Sequence, residues 1–260
     1  MLDTKANYEF RFGGIERLYG PQAMDRLQAA HVCVVGIGGV GSWVAEALAR
    51  SGLGRMTLVD LDDVCESNIN RQIHALDGSI GEAKIEAMAK RCERINPDCE
   101  VRRKHLFFTE QTIEDVLDRG YDFVADAIDS VKHKVALIAA CKKRETPIIT
   151  SGGAGGRIDP TRIQIADLSK SHNDKLLQRV RKNLRSEYGF PKNPDTKFKV
   201  DCVFSPEKAV YPEICDTDEM SSSRRLDCSG GYGAATHITG TFGFFMASEI
   251  VKRIANSDTT

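Results

Sequence analysis

The chain has 260 residues, a formal net charge of −1 and 41% hydrophobic residues, the proportions of an ordinary soluble globule able to bury one large core. Its eight cysteines form no Cys-x-x-Cys pair, which argues against a secreted disulfide framework and against a tetrathiolate zinc site. There is no charged-then-apolar leader at the N-terminus, so a cytoplasmic enzyme is the expectation.

Residues 1 to 30 read as a helical arm, with Tyr8, Phe10, Phe12 and Leu18 as its packing residues. His31-Val-Cys-Val-Val35 is a short apolar run rich in β-branched residues, the pattern of a strand buried on both faces. Gly36-Ile-Gly-Gly39-Val-Gly41 comes next, and Ser42 to Arg50 has helical spacing, so the glycines lie on a strand-to-helix turn. There Gly36 permits the tight turn, Gly38 lets the backbone approach a phosphate, and Gly41 lets the helix sit close to the strand. The helix N-terminus offers free N–H groups and the positive end of its dipole to an anion. A nucleotide is the expected guest.

The second strand, Arg55 to Asp60, ends in an acid placed to hold ribose hydroxyls, which by itself suggests NAD. The residues after it favour a triphosphate. Asp60-Leu-Asp62-Asp-Val-Cys-Glu-Ser-Asn68-Ile-Asn70-Arg71-Gln72, followed by Lys84, supplies amide donors and two cations. A dehydrogenase has no use for them beside its ribose-binding acid, whereas cleavage between the α and β phosphorus of a triphosphate needs such charge stabilisers.

Beyond Lys84 the elements alternate. Helices are predicted over Ile85 to Ile95, Thr109 to Leu117 (capped by Thr109, with Thr112 as the weaker candidate) and Val131 to Arg144. Strands are predicted at Cys99 to Arg103, Tyr121 to Asp126 and Pro147 to Thr150. The fold class is therefore α/β: a Rossmann-like, doubly wound, mostly parallel sheet with its ligand crevice at the strands' C-terminal ends. Asp126 and Asp129 fall at that edge, with N-capping of the next helix as the alternative use of Asp129. Gly152-Gly-Ala-Gly-Gly156 follows the fifth strand, where small residues let a substrate or a second backbone come close or form a bulge into Arg162 to Ala166.

Residues 170 to 199 hold nine Lys or Arg against three acids. On a helical projection Leu176, Leu177, Val180, Leu184 and Tyr188 fill one arc, and Lys175, Arg179, Arg181, Lys182 and Arg185 the other. Lys192, Lys197 and Lys199 extend the charge past Pro191 and Pro194, which favours phosphate-backbone binding over a merely solvated face. The C-terminal extension is thus expected to carry a basic helix. Residues 228 to 248 lack formal charge and have a length that can just span a bilayer. Their glycines, hydroxyl residues and His237 favour a buried helix instead.

Several spaced elements agree in order: G-x-G-G-V-G-S, then L-V-D-x-D-x-V-x-x-x-N-x-N-R-Q, a lysine thirteen residues past the arginine, and Asp126-Ala-Ile-Asp129-Ser130. Together they resemble the adenylating fold of ubiquitin-activating enzymes and of their bacterial relatives, of the ThiF/MoeB type, that activate sulfur-carrier proteins. Within that superfamily five segments are most similar to the dehydratases of threonylcarbamoyladenosine in tRNA. They are Arg11 to Gly14, Asn70 to Ala75, Gly152 to Gly156 with Ile158 to Pro160, Asp201 to Ser205 and Asp227 to Ala235.

The resemblance implies one adenylating domain over residues 1–260. Its parts are an arm (1–30), a nucleotide-binding core (31–168), a basic segment (169–200) and a C-terminal part completing the core (201–260). It implies ATP and Mg2+ as cofactors, with Gly36, Gly38, Gly39, Gly41, Asp60, Asp62, Asn68, Arg71, Gln72, Lys84, Asp129 and Ser130 around ATP and Asp129 on the metal. Arg71 and Lys84 would be catalytic, joined by an N-terminal arginine of the partner subunit in a homodimer, Arg17 or Arg11. The substrate implied is tRNA, cyclised at a modified adenosine beside the anticodon, and held by Lys175, Arg179, Arg181, Lys182, Arg185, Lys197 and Lys199. Family analogy adds a cysteine desulfurase or sulfur acceptor as a partner.

The alternative within the superfamily is adenylation of a small sulfur-carrier protein, though some activators of that kind have two Cys-x-x-Cys pairs that this chain lacks. A nucleotide-sensing module without turnover and a nicotinamide oxidoreductase are the readings from other classes. Cys228 is either an acyl acceptor or a packing residue, and the second is favoured because cyclisation has its nucleophile within the substrate.

Overall fold

A computed structural model describes residues 4–118, 120–211 and 232–256. Helices α1 (Thr4–Tyr19) and α2 (Pro21–Ala29) lead into β1 (His31–Val35), α3 (Gly41–Arg50), β2 (Arg55–Asp60), α4 (Lys84–Ile95) and β3 (Glu100–His105). Then come the one-turn α5 (Ile113–Val116), β4 (Phe123–Asp126), α6 (Val131–Lys143), β5 (Ile148–Ser151), β6 (Gln164–Asp167), α7 (Lys175–Glu187), β7 (Asp201–Phe204) and α8 (Thr236–Ala255).

The strands form one sheet in the order β3-β2-β1-β4-β5-β7-β6. All neighbours are parallel except β6, which runs antiparallel to β7. Every residue of β1 is buried because both faces of the sheet are covered. Val32 and Val34 join the core built with α3, α4 and α8, while Cys33 and Val35 join the one built with α5, α6 and α7. This is the doubly wound arrangement that the apolar strands predict.

From β1 the chain winds outward to β2 and β3, and from β4 it winds the other way to β5. In register, Val35 stands opposite both Val59 and Asp126, so the loops after β1, β2 and β4 open on one edge at the point of reversal. Crevices for ligands form at such a point.

Several expectations are corrected. On α1, Tyr8 and Phe12 are buried, but Phe10 is 92% and Leu18 77% exposed. Tyr8 and Phe12 lie four residues apart, one helical face, and that face alone meets the body. The Tyr8 hydroxyl donates to the Gly52 carbonyl just past α3. The helix expected from Thr109 starts only at Ile113, with Thr112 at its N-cap. Thr112 Oγ1 accepts from the Thr109 amide at 2.8 Å, which closes a turn ahead of the helix. On α7, Leu177, Val180 and Leu184 are buried as expected, but Tyr188, just past the helix end, is exposed. No helix among the described residues is long and apolar enough to cross a membrane. Cys228 and the first part of the 228–248 stretch lie outside the described residues.

Candidate functional site

The glycine turn is held from two sides. Gly36 has a φ of 89°, in the left-handed region that glycine adopts without strain, and its amide donates to the Val59 carbonyl at 2.9 Å. A side chain there would meet the Ala127 carbonyl in the loop after β4. Gly38, in contrast, has open space where a Cβ would point, so the middle of the turn faces outward. At the end of β2 the Asp60 carboxylate accepts from the Ile37 amide at 2.6 Å and from the Asp62 amide at 2.9 Å. Burial raises the Asp60 pKa, against the lowering pull of those hydrogen bonds and of Lys84. Each oxygen retains a lone pair for a ribose hydroxyl.

Arg71 reaches the turn by contact rather than by sequence. Its stem runs beside Gly39, where an added Cβ would come within 3.5 Å of the Arg71 side chain. The Arg71 carbonyl is bracketed by Trp43 Nε1 of α3 at 3.0 Å and Thr239 Oγ1 of α8 at 3.2 Å. Its guanidinium donates to the Ser67 carbonyl and to Asn70 Oδ1. Asn68 is buried and uses Oδ1 to accept from the Cys65 amide at 3.1 Å, which leaves its NH2 group as the donor. Gln72 is buried with Oε1 lacking a partner among the described residues.

Lys84 returns to the edge through a short pairing of residues 62–64 with 81–84. Its amide donates to the Asp62 carbonyl at 2.9 Å, and Val64 exchanges bonds with Glu82 and Gly81. The Lys84 ammonium then lies 2.7 Å from Asp62 Oδ2, and the residue is only 7% exposed. Within that shell His74 is buried, and burial together with Lys84 and Arg91 pushes its pKa down to about 4.

After β4 the two acids part company. Asp126 is fully buried and paired at 2.9 Å with Lys134 of α6, also fully buried, and it accepts from Thr150 Oγ1 at 2.6 Å. It belongs to the scaffold. Asp129 is exposed at the crevice edge, and it does not cap α6, whose N-cap is Ser130. Among the described residues no group of three or more His, Cys, Asp or Glu is placed to hold a metal. One carboxylate suffices for magnesium that also binds substrate phosphates and water.

Arg11 donates to the Ile95 carbonyl at the end of α4, and Arg17 is exposed on α1, which is anchored at the far end of α3 from the glycine turn. Neither bonds the residues around that turn. Of the described cysteines all but Cys65 are buried, and burial raises their thiol pKa values, Cys99 and Cys141 to about 12. None of these five is poised as a thiolate.

The glycines after β5 serve close backbone approach. Gly156 donates to the Gly233 carbonyl at 2.7 Å and accepts from the Val210 amide at 2.8 Å. The Gly153 amide donates to Asp174, the residue that caps α7 through the Leu177 amide. The basic helix is thereby tied to the sheet edge. Arg179, Lys182, Lys197 and Lys199 are exposed. Arg181 and Arg185 are half-buried and bonded to Ser171 and to the Pro191 carbonyl. Gln178, Arg179, Arg181, Lys182, Arg185, Ser186 and Lys192 line a groove of about 670 Å³. Trp43, Thr239, Lys134 and Arg157 went unremarked in the sequence. Trp43 and Thr239 act through Arg71, 28 and 168 residues away, whereas Lys134 and Arg157 turn inward onto Asp126 and Asn173, and no spacing announces any of them.

A family model described as ThiF family matches residues 14–260. The chain is 53% identical over 248 residues to the tRNA threonylcarbamoyladenosine dehydratase of Haemophilus influenzae, across 95% of this chain and 94% of that one. It is 50% identical over 249 residues to the protein of the same name from Escherichia coli, across 94% and 93%. The crystal structure of the E. coli tRNA N6-threonylcarbamoyladenosine dehydratase in complex with ATP is similar with a TM-score of 0.86 at 49% identity, over 95% of this chain and 94% of that one.

Proposed function

The chain belongs to the ThiF family, and from that premise we infer that it is an ATP-dependent enzyme of tRNA modification: it adenylates the threonyl carboxylate of threonylcarbamoyladenosine and closes a ring with net loss of water. The observation that carries this reading is the likeness to the dehydratases over almost the whole chain, supported by the gathering of the turn, Asp60, Arg71 and Lys84 at one sheet edge.

In the first step a carboxylate oxygen attacks the α-phosphorus of ATP, the bond to the β-phosphate oxygen breaks, and pyrophosphate leaves. Arg71 and Lys84 are fixed positive charges for the negative charge that develops there, and such preorganised stabilisers cost no rearrangement during reaction. The turn amides and Asn68 orient phosphates, and Asp60 holds the ribose. In the second step a nitrogen or oxygen of the same modification attacks the acyl carbon. AMP leaves with the carboxylate oxygen and the nucleophile loses its proton, so the substrate is lighter by one water. Because nucleophile and acyl group share a molecule, effective molarities of about 10⁵ M or more are available and no thioester is needed. Magnesium fits the exposed Asp129 carboxylate and, when bound, neutralises phosphate charge.

The residues of the basic segment, Lys175 to Lys199, are assigned to tRNA phosphates. The whole chain is assigned to one adenylating domain acting in the cytoplasm as a homodimer, in which Arg17 serves the partner's ATP. Exposed Leu18, Tyr19 and Phe244, lining one groove over α3 and α8, support such a contact. A sulfur-acceptor partner rests on family analogy alone.

The test incubates the purified protein with ATP and tRNA carrying threonylcarbamoyladenosine. A nucleoside lighter by one water, with AMP and pyrophosphate, is expected. ATP cleavage driven only by a Gly-Gly-tailed carrier protein would establish the sulfur-carrier reading in its place.

A further inference from the structure

Between the nucleotide edge and the basic helix lies a feature that the adenylation chemistry leaves unused. Tyr211 and Tyr232 pair with ring centroids 5.0 Å apart, and the Tyr232 hydroxyl donates to that of Tyr211 at 2.9 Å. Tyr211 is 48% exposed. Lys175, the first residue of α7, has its ammonium 5.0 Å from the Tyr211 ring centroid and bonds the Tyr211 hydroxyl.

The pair is seated on the glycine loop after β5. Added side chains at Gly155 or Gly156 would collide with Tyr232, so those glycines set its position. Two residues on, the Ala234 carbonyl accepts from Asn70 Nδ2 at 2.9 Å, and Thr236 Oγ1 donates to the Asn70 carbonyl. Two residues span at most about 7 Å, so Tyr232 stands close to Asn70, the neighbour of Arg71. The glycine loop also ends in Arg157, buried at 7% exposure. Its Nη2 donates to the Asn173 carbonyl at 3.3 Å, and its Nη1 has no partner among the described residues. Buried, Arg157 braces the loop through Asn173, while the exposed Lys175 ammonium over the Tyr211 ring suits a polyanion that also carries flat bases.

We propose that the Tyr211–Tyr232 pair is a stacking platform for an unstacked base next to the modified adenosine of the anticodon loop, with Lys175 on an adjacent phosphate. The proposal rests on the tRNA reading above. Sequence-tolerant stacking on aromatic rings is how single-stranded loops are commonly held, and the platform's place fits: the adenosine's carboxylate must reach Arg71 while the stem's phosphates lie along α7. The competing explanation is that the tyrosines merely clasp α7 to the glycine loop through their hydroxyls.

The experiment uses the full chain and an anticodon stem–loop with 2-aminopurine replacing, in turn, each neighbour of the modified adenosine. Stacking quenches this probe. Wild type is expected to quench it at one position. Tyr211→Leu is expected to lose the quench and weaken binding on the order of tenfold, in keeping with the usual worth of one stacked base, while ATP affinity is unchanged. Tyr211→Phe, which lacks the hydroxyl but keeps the ring, is expected to restore both. If Tyr211→Leu alters the melting temperature, Tyr211→Gln takes its place. Absence of quenching in wild type, an undiminished quench in Tyr211→Leu, or a loss in Tyr211→Phe equal to that in Tyr211→Leu would each overturn the proposal. A wild type that quenches but never forms cyclic product would instead sink the enzymatic reading and leave the platform standing.

Discussion

Replacing Lys134 by Met tests the scaffold beneath the site. Lys134 and Asp126 are both fully buried, with Nζ 2.9 Å from Asp126 Oδ2 and 2.9 Å from Thr150 Oγ1. With the ammonium gone, Asp126 keeps Thr150 Oγ1 and the Ile128 amide at 3.0 Å as donors, but its charge has no counter-ion. Breaking a buried pair on one side costs about 3–5 kcal/mol, a large share of the roughly 5–15 kcal/mol that holds a domain folded. The double variant Lys134→Met, Asp126→Asn removes the orphaned charge and is expected to recover most of that loss. Urea titrations of wild type, both single variants and the double variant, followed by far-UV circular dichroism at pH 7, give the cycle. The Ile128 amide lies on the loop that carries Asp129, so Lys134→Met should also weaken ATP binding, and the double variant should restore it. A cost below about 1 kcal/mol for Lys134→Met, or a double variant as unstable as the two singles summed, would refute the coupling.

Arg71→Ala and Lys84→Ala should each lower pyrophosphate release on the order of a hundredfold or more. The fold survives because Lys84 leaves behind a mostly exposed Asp62, whose loss of a partner costs little; near-normal release in either variant would remove the phosphate role. Asp129→Asn should raise the magnesium concentration needed for half-maximal rate, and an unshifted requirement would deny it the metal. Changing Arg179, Lys182 and Arg185 together to Gln should weaken tRNA binding and reduce its logarithmic salt slope by about 0.7–0.9 per lost phosphate contact, and an unaltered slope would return α7 to a solvated face. His31 and His74 are both pushed down to about 4, chiefly by burial, whereas the unfolded chain protonates them near 6.5. Their contribution to stability is therefore complete above about pH 6.5 and drains away as pH falls toward 4. That amounts to about 1 kcal/mol for each histidine between pH 7 and 5.5, and a flat urea midpoint over that range would contradict it.

What could be read beforehand was what the chain lays down locally or repeats at a sheet edge. The glycine turn, the acid ending β2 and the loop after β4 meet because parallel strands deliver their C-terminal ends to one side, so residues distant in sequence become neighbours by topology alone. Lys84 belongs to the same class, since the run from Asp60 to Lys84 leaves and returns within a single crossover. Side-chain closures made inside the fold follow no such rule, whether within one crossover or between remote elements. Lys134 sits in Val-Lys-His-Lys, which reads as the polar start of a helix, and only the depth of Asp126 at the end of β4 shows that this lysine is buried. Phe10 and Leu18 looked like packing residues because apolar side chains on a helix usually are, but α1 packs through Tyr8, Phe12 and Ile15 and leaves both of them exposed. Thr239 and Trp43 clamp the Arg71 carbonyl from helices that flank it in space, not in sequence. Such clamps are what turn a cluster of suitable residue types into a site: a guanidinium on a loose loop would have to be ordered when ATP binds, at a cost in side-chain entropy, whereas one whose backbone is pinned on both sides is already in place. The chemistry of this edge was therefore legible in its residue types, and its preorganisation only in the fold.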